Sequence, residues 1–187
     1  MPDPFPLPSP ALVDPARGIV LRPWRPNDAL VLATAWAVPD IAAQAVVPGV
    51  GAVAHAERWI AGAPARRGVG MALDLVVGPL GGDEVWGEVG LTRLRLSSTE
   101  GTREEVEIGW WVLPGHRRRG VATAAAGLLA RWARRELEVP RLVARIARGS
   151  VGSEAVATRI GLRRLAALEA DRDLWVGPVG DDGPDGW

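Results

Sequence analysis

The chain has 187 residues, 48% hydrophobic and 24% charged, which is the size and balance of one soluble globular domain. Its 22 basic and 22 acidic residues cancel, so overall charge directs it neither to nucleic acid nor to an anionic membrane. It has no cysteine, which excludes disulfides, thiolate metal sites and a cysteine nucleophile, and only His55 and His116 could build an imidazole site. No apolar run reaches the ~18 residues of a membrane span. The first residues lack the basic-then-apolar pattern of a signal peptide, so the expected location is cytoplasmic.

Prolines at positions 2, 4, 6, 8, 10 and 15 make residues 1–18 an extended, flexible arm. Ile19 to Trp24 reads as a strand. Asn27 or Asp28 can cap a helix running to Val38 and stopped by Pro39. A second helix fits His55 to Ala61. Met71 to Val77 reads as a strand, residues 78–83 as a turn, and Glu84 to Leu96 as another strand, followed by a turn to Arg103. From Glu105 to Val112 the residues Val106, Ile108, Trp110 and Val112 alternate with Glu105, Glu107, Gly109 and Trp111, the period of a strand. From Val121 to Glu138, Val121, Ala124, Ala125, Leu128, Leu129, Trp132 and Ala133 recur at amphipathic-helix spacing. Leu142 to Ala147 is a strand, Ser153 to Ile160 a helix closed by Gly161, and Asp173 to Val176 a last strand. Residues 177–187 form an acidic tail with flexible composition. Early hairpins followed by strand–helix–strand units predict one α/β domain over 19–176. Its sheet is mixed with helices on both faces.

Chemistry concentrates between the strand ending at Val112 and the helix starting at Val121. Arg117-Arg118-Arg119-Gly120-Val121-Ala122-Thr123 joins a tight, arginine-bearing turn to a helix N-terminus. Small residues let backbone N–H groups approach an anion, and the helix end adds partial positive charge, so the stretch predicts a phosphate cradle. A P-loop needs a lysine, and the chain has none; a dinucleotide fingerprint needs more glycines than Gly120.

The R-x-x-G-x-A run of Arg117 to Ala122 resembles motif A of the Gcn5-related N-acetyltransferases, whose loop binds the pyrophosphate of acetyl-coenzyme A. Glu107-Ile108-Gly109-Trp110-Trp111, Pro114 and Gly120-Val121-Ala122-Thr123 resemble the branch containing ribosomal-protein N-terminal acetyltransferases. So do Ser150 to Leu162, and Leu21-Arg22-Pro23-Trp24 with Asp28-Ala29. The resemblance covers about residues 19–176. It implies an acyl-CoA N-acyltransferase fold, mostly antiparallel, and acetyl-CoA as co-substrate without a metal. It also implies an amine acceptor, either a protein N-terminus or a small molecule. Trp110, Trp111 and Val112 would face pantetheine where the central strand splays from its neighbour at a bulge near Gly109, with the Trp110 N–H stabilising the oxyanion. Arg117, Arg118, Arg119, Gly120, Val121, Ala122 and Thr123 would hold the pyrophosphate, and Ser150 would stand where the family has a pantetheine-binding Asn.

Transfer to an amine needs a base, and Glu107 or Glu88, alone or through water, can serve. Glu107, beside the expected bulge, is the first choice. Many relatives use a Tyr as the acid, but tyrosine is absent here. Ser153 is the hydroxyl that the resemblance puts near the thiol, although a Ser there also suits a helix cap. Two other functions compete: a catalytically silent acyl-CoA-binding module, and a nucleic-acid module built on Arg117 to Arg119. The many alanines and leucines from Val121 to Trp132 argue against a groove-reading helix. Oligomeric state, a homodimer included, stays open.

Overall fold

The computed structural model describes residues 2–43, 52–98, 101–137, 139, 141–168 and 171–177. Eight strands form one sheet in the order β1-β2-β3-β4-β5-β6-β8-β7. They are β1 (Val13–Asp14), β2 (Ile19–Pro23), β3 (Ala72–Pro79), β4 (Gly87–Ser98), β5 (Gly101–Val112), β6 (Leu142–Ala147), β7 (Arg163–Ala167) and β8 (Arg172–Val176). Every adjacent pair is antiparallel except β5 and β6. The mixed, mostly antiparallel α/β sheet read from the sequence is therefore the architecture of the protein.

The helices are α1 (Ala29–Trp36), α2 (Pro39–Ala42), α3 (Val53–Gly68), α4 (Val121–Glu136) and α5 (Val151–Arg159). Strand alternation splits the core in two. Val89, Leu91, Val106 and Ile108 pack against Ala125 and Leu129 of α4 and against Ile160, which closes α5. On the other face, Val76 and Trp111 pack with Leu32, Trp36, Ala56 and Ile60 of α1 and α3. The sheet thus separates an α4/α5 side from an α1/α3 side, and any cleft reaching both must pass between strands.

Several elements depart from the sequence reading. The N-terminal arm is extended but anchored. Phe5 is fully buried, its N–H donates to the Arg67 carbonyl at 3.0 Å, and Arg93 stacks over its ring at 4.9 Å. Burying that ring contributes roughly 2–3 kcal/mol. Val13 and Asp14, free of proline, pair with β2. Pro39 both ends α1 and opens α2, because a proline at the first helical position gives up no hydrogen bond. Helix α3 runs past Pro64 to Gly68, held by buried Ala56 and Ile60 and by an Arg66–Asp74 ion pair at 3.0 Å. Residues 178–187, the predicted tail, lie outside the described residues.

Candidate active site

The cleft starts where two strands part. β5 pairs with β6 only at Val106↔Leu142 and Glu107↔Val143. Beyond that point the edge from Ile108 to Val112 has no strand partner on its β6 side. The split needs no bulge at Gly109: β4 and β5 keep one register from Gly87↔Val112 to Ser98↔Gly101. What ends the β5–β6 ladder is Glu107. Its carboxylate accepts the backbone N–H of Arg145 at 3.2 Å and two guanidinium bonds from Arg145 at 2.8 Å each. A side chain takes the amide that the next strand pair would have used. Glu107 is thereby a wedge at the vertex of the split, committed to Arg145, and it does not line the cleft.

The cleft of about 980 Å³ passes through this split. Its walls include Trp110, Trp111 and Val112 of β5, the loop before α4, Ala124 and Gly127 of α4, and Ser150 to Ser153 at the start of α5. Asp40 and Ile41 of α2 close its α1 side. The loop before α4 carries two left-handed residues, Arg118 at φ 63° and Gly120 at φ 77°. Left-handed residues in such a turn let successive N–H groups face one concavity. Gly120 stands in the N-cap position of α4, so the amides of Val121, Ala122 and Thr123 have no acceptor within the helix. A sixteen-residue helix directs its positive end into the same space.

Of the three loop arginines, only two face the cleft. Arg117 folds back, donating from Nε to the Val112 carbonyl at 2.7 Å and pairing with Asp40 at 2.9 Å. It fastens the loop to the end of β5 and to α2. Arg118 lines the cleft, whereas Arg119 is exposed and does not. Sequence reasoning missed Arg131 and Arg159, which line the far end of the cleft. Among the described residues Arg118, Arg131 and Arg159 pair with no carboxylate. Five arginines and two aspartates leave the walls strongly cationic. A chain with these free amides, this charge and an open strand edge has the donors that a pyrophosphate carrying an amide-bearing arm requires.

Glu88 lies one side chain in from the wall, on the α1/α3 side. Its two oxygens accept the indole N–H of Trp24 at 2.8 Å and of Trp111 at 3.0 Å. Trp111 lines the cleft, and the two indoles lie 6.3 Å apart. Burial, followed by the nearby charge of Asp74, pushes the Glu88 carboxyl up to about 8, against the pull of the two indoles and Arg66. Burial likewise raises the carboxyl of Asp74, although Arg66 is bonded to it. The two carboxylate candidates share a sheet face but differ in company. Glu107 has an arginine, and Glu88 has two neutral donors that leave its charge unbalanced.

Helix α5 begins at Val151, two residues before the predicted start. Ser150 takes the cap position without a side-chain cap bond, and Ser153 sits inside the first turn. Both face the cleft. Ser153 is half-buried and, among the described residues, its hydroxyl has no hydrogen-bond partner.

Comparisons with known proteins agree with this architecture. A family model described as an acetyltransferase (GNAT) domain matches residues 19–163. No curated protein matches the chain. Among solved structures, the acetyltransferase from Agrobacterium tumefaciens str. C58 is 24% identical with a TM-score of 0.70, covering 94% of this chain and 98% of its own. The ribosomal-protein-S5-alanine acetyltransferase from Vibrio fischeri is 13% identical with a TM-score of 0.72, covering 89% and 96%. RimJ from Mycobacterium smegmatis, solved with CoA-disulfide, is 21% identical with a TM-score of 0.67, covering 84% and 79%.

Proposed function

Because the chain belongs to the GNAT acetyltransferase family, we propose that it moves the acetyl group of acetyl-coenzyme A to a primary amine by direct attack in a ternary complex. The observation that carries this reading is the continuity of one cleft from the free amides at the start of α4 to the open edge of β5. An anionic group held at the first would lay its arm along the second. Acetyl-coenzyme A supplies the activated acyl carbon, and the protein supplies position and proton transfer.

In this reading the amides of residues 118–123 hold the pyrophosphate, and the edge from Trp110 to the Val112 N–H pairs with the amides of pantetheine, the Val112 carbonyl being held by Arg117. The Trp110 N–H is the oxyanion donor. Glu88 is the base, taking the acceptor's proton through water in the cleft, because it combines a raised carboxyl with a position beside Trp111. Glu107 positions the split rather than reacting. The acceptor enters from the α1/α2 side, and the ribosomal-protein enzymes among the neighbours favour a peptide N-terminus. The test is a panel of peptides and small amines screened for acetyl-CoA consumption with release of free thiol. Turnover on at least one amine is expected. Coenzyme binding with no turnover on any amine would make the protein a silent acyl-CoA module.

Ser153 is the proposed donor to the departing thiolate. Since it is not the cap of α5, Ser153→Ala should leave stability unchanged within ~0.5 kcal/mol. Turnover should fall by roughly 10-fold or more, within or below the range of general acids. A fully active variant would mean that the thiolate leaves unassisted.

A further inference from the structure

The segment matched by the family begins at residue 19, yet the cleft has a wall built from residues before it. Asp14 and Arg17, at the turn between β1 and β2, both line the cleft. We propose that Arg17 binds a phosphate of the coenzyme's pyrophosphate, so that the N-terminal hairpin completes the cradle from the side opposite the loop. This inference rests on the coenzyme reading of the cleft.

The geometry is specific. Arg17 Nε lies 3.9 Å from where a Cβ on Gly120 would stand, closer than any other atom outside that glycine's own chain neighbours. Asp14 fixes the guanidinium. One carboxylate oxygen accepts the Arg17 backbone N–H at 3.1 Å, and the other accepts Nη1 at 2.9 Å. Nε–H and Nη2 then donate to nothing among the described residues, and the unbonded Nε is the atom that approaches Gly120. The Arg17 bond also holds the Asp14 carboxyl below the usual range, so the clamp stays ionised at neutral pH.

A surface ion pair three residues apart in sequence contributes little to stability, and Arg17 is 58% exposed. The pair is better suited to aiming a cation than to holding the fold. Aiming works only if the hairpin is rigid, and three ties make it so. Phe5 is buried in the core, Leu21 N–H donates to the Leu12 carbonyl at 2.9 Å, and Leu80 N–H donates to the Gly18 carbonyl at 2.7 Å. A guanidinium held in advance loses little freedom on meeting its anion.

Calorimetric titration of coenzyme A and of dephospho-coenzyme A into the wild-type chain and into Arg17→Ala tests this. The variant should bind both ligands about 10-fold more weakly, because both carry the pyrophosphate. Arg17→Lys should recover part of the loss, since charge returns without the fork. Should Arg17→Ala fail to fold, Arg17→Gln, which keeps a donor for Asp14, makes the same measurement. Equal affinities for wild type and variant overturn the proposal. A loss seen with coenzyme A alone places Arg17 on the 3′-phosphate and overturns the assignment to the pyrophosphate. A wild-type chain that binds neither ligand removes the coenzyme reading itself, and this role with it.

Discussion

Glu88→Gln should lower turnover by roughly 100- to 10,000-fold, the range for loss of a general base, while coenzyme affinity stays within about 2-fold. The affinity is spared because Glu88 faces Trp24 and Trp111 and touches no part of the phosphate cradle. The wild-type pH profile of kcat/KM should carry an acidic limb near 8. Activity rises with pH there because the base acts only when deprotonated and its carboxyl is held up by burial. The difference between wild type and variant isolates this limb from the acceptor's own titration. Glutamine offers one oxygen to two indoles, so melting should be followed on the same preparation. Glu107→Gln supplies the contrast. It should cost ~1 kcal/mol of stability through the weakened bond to Arg145 and change turnover only a few-fold. If the two variants exchanged behaviours, the base would be Glu107.

Gly120→Glu should weaken coenzyme A binding by about 100- to 1,000-fold. The variant meets two effects, the first on folding and the second on binding. At φ 77° any side chain is in the left-handed region, at a cost of roughly 1–2 kcal/mol. The new carboxylate would also occupy the space facing Arg17 and the free amides, where the pyrophosphate belongs. Like charges about 4 Å apart near a surface repel by several kcal/mol. Gly120→Ala separates the two. A methyl group there has open space, with nothing nearer than 3.9 Å, so only the conformational cost remains. The alanine variant should lose stability but keep most of its affinity. Equal affinity for coenzyme A in Gly120→Glu and wild type would remove the cradle.

The loop and helix start proposed as the cradle could be read from the sequence because their cause is local. A left-handed glycine, a basic turn and an amphipathic helix lie within the twenty residues from Arg117 to Glu136. The choice between two carboxylates could not, because it depends on partners far along the chain. Glu107 meets Arg145, 38 residues on, and Glu88 meets Trp24, 64 residues back. Strand β7 escaped notice for a different reason. Arg163 to Ala167 is exposed throughout and sits at the sheet edge, so no buried face imposes alternation on it. The arm reads as loose because proline density reports what a segment cannot form, not where a single Phe5 can bury itself. Arg17 escaped with it: nothing local marks a turn residue as the neighbour of a glycine a hundred positions away.

The two indoles on Glu88 have an optical consequence. Indole fluorescence responds to whether its N–H donates to a neutral acid or to a carboxylate, and here one ionisable group accepts from two fluorophores. The intrinsic emission of the unlabelled protein should therefore carry a spectroscopic record of the Glu88 proton, readable without an acceptor.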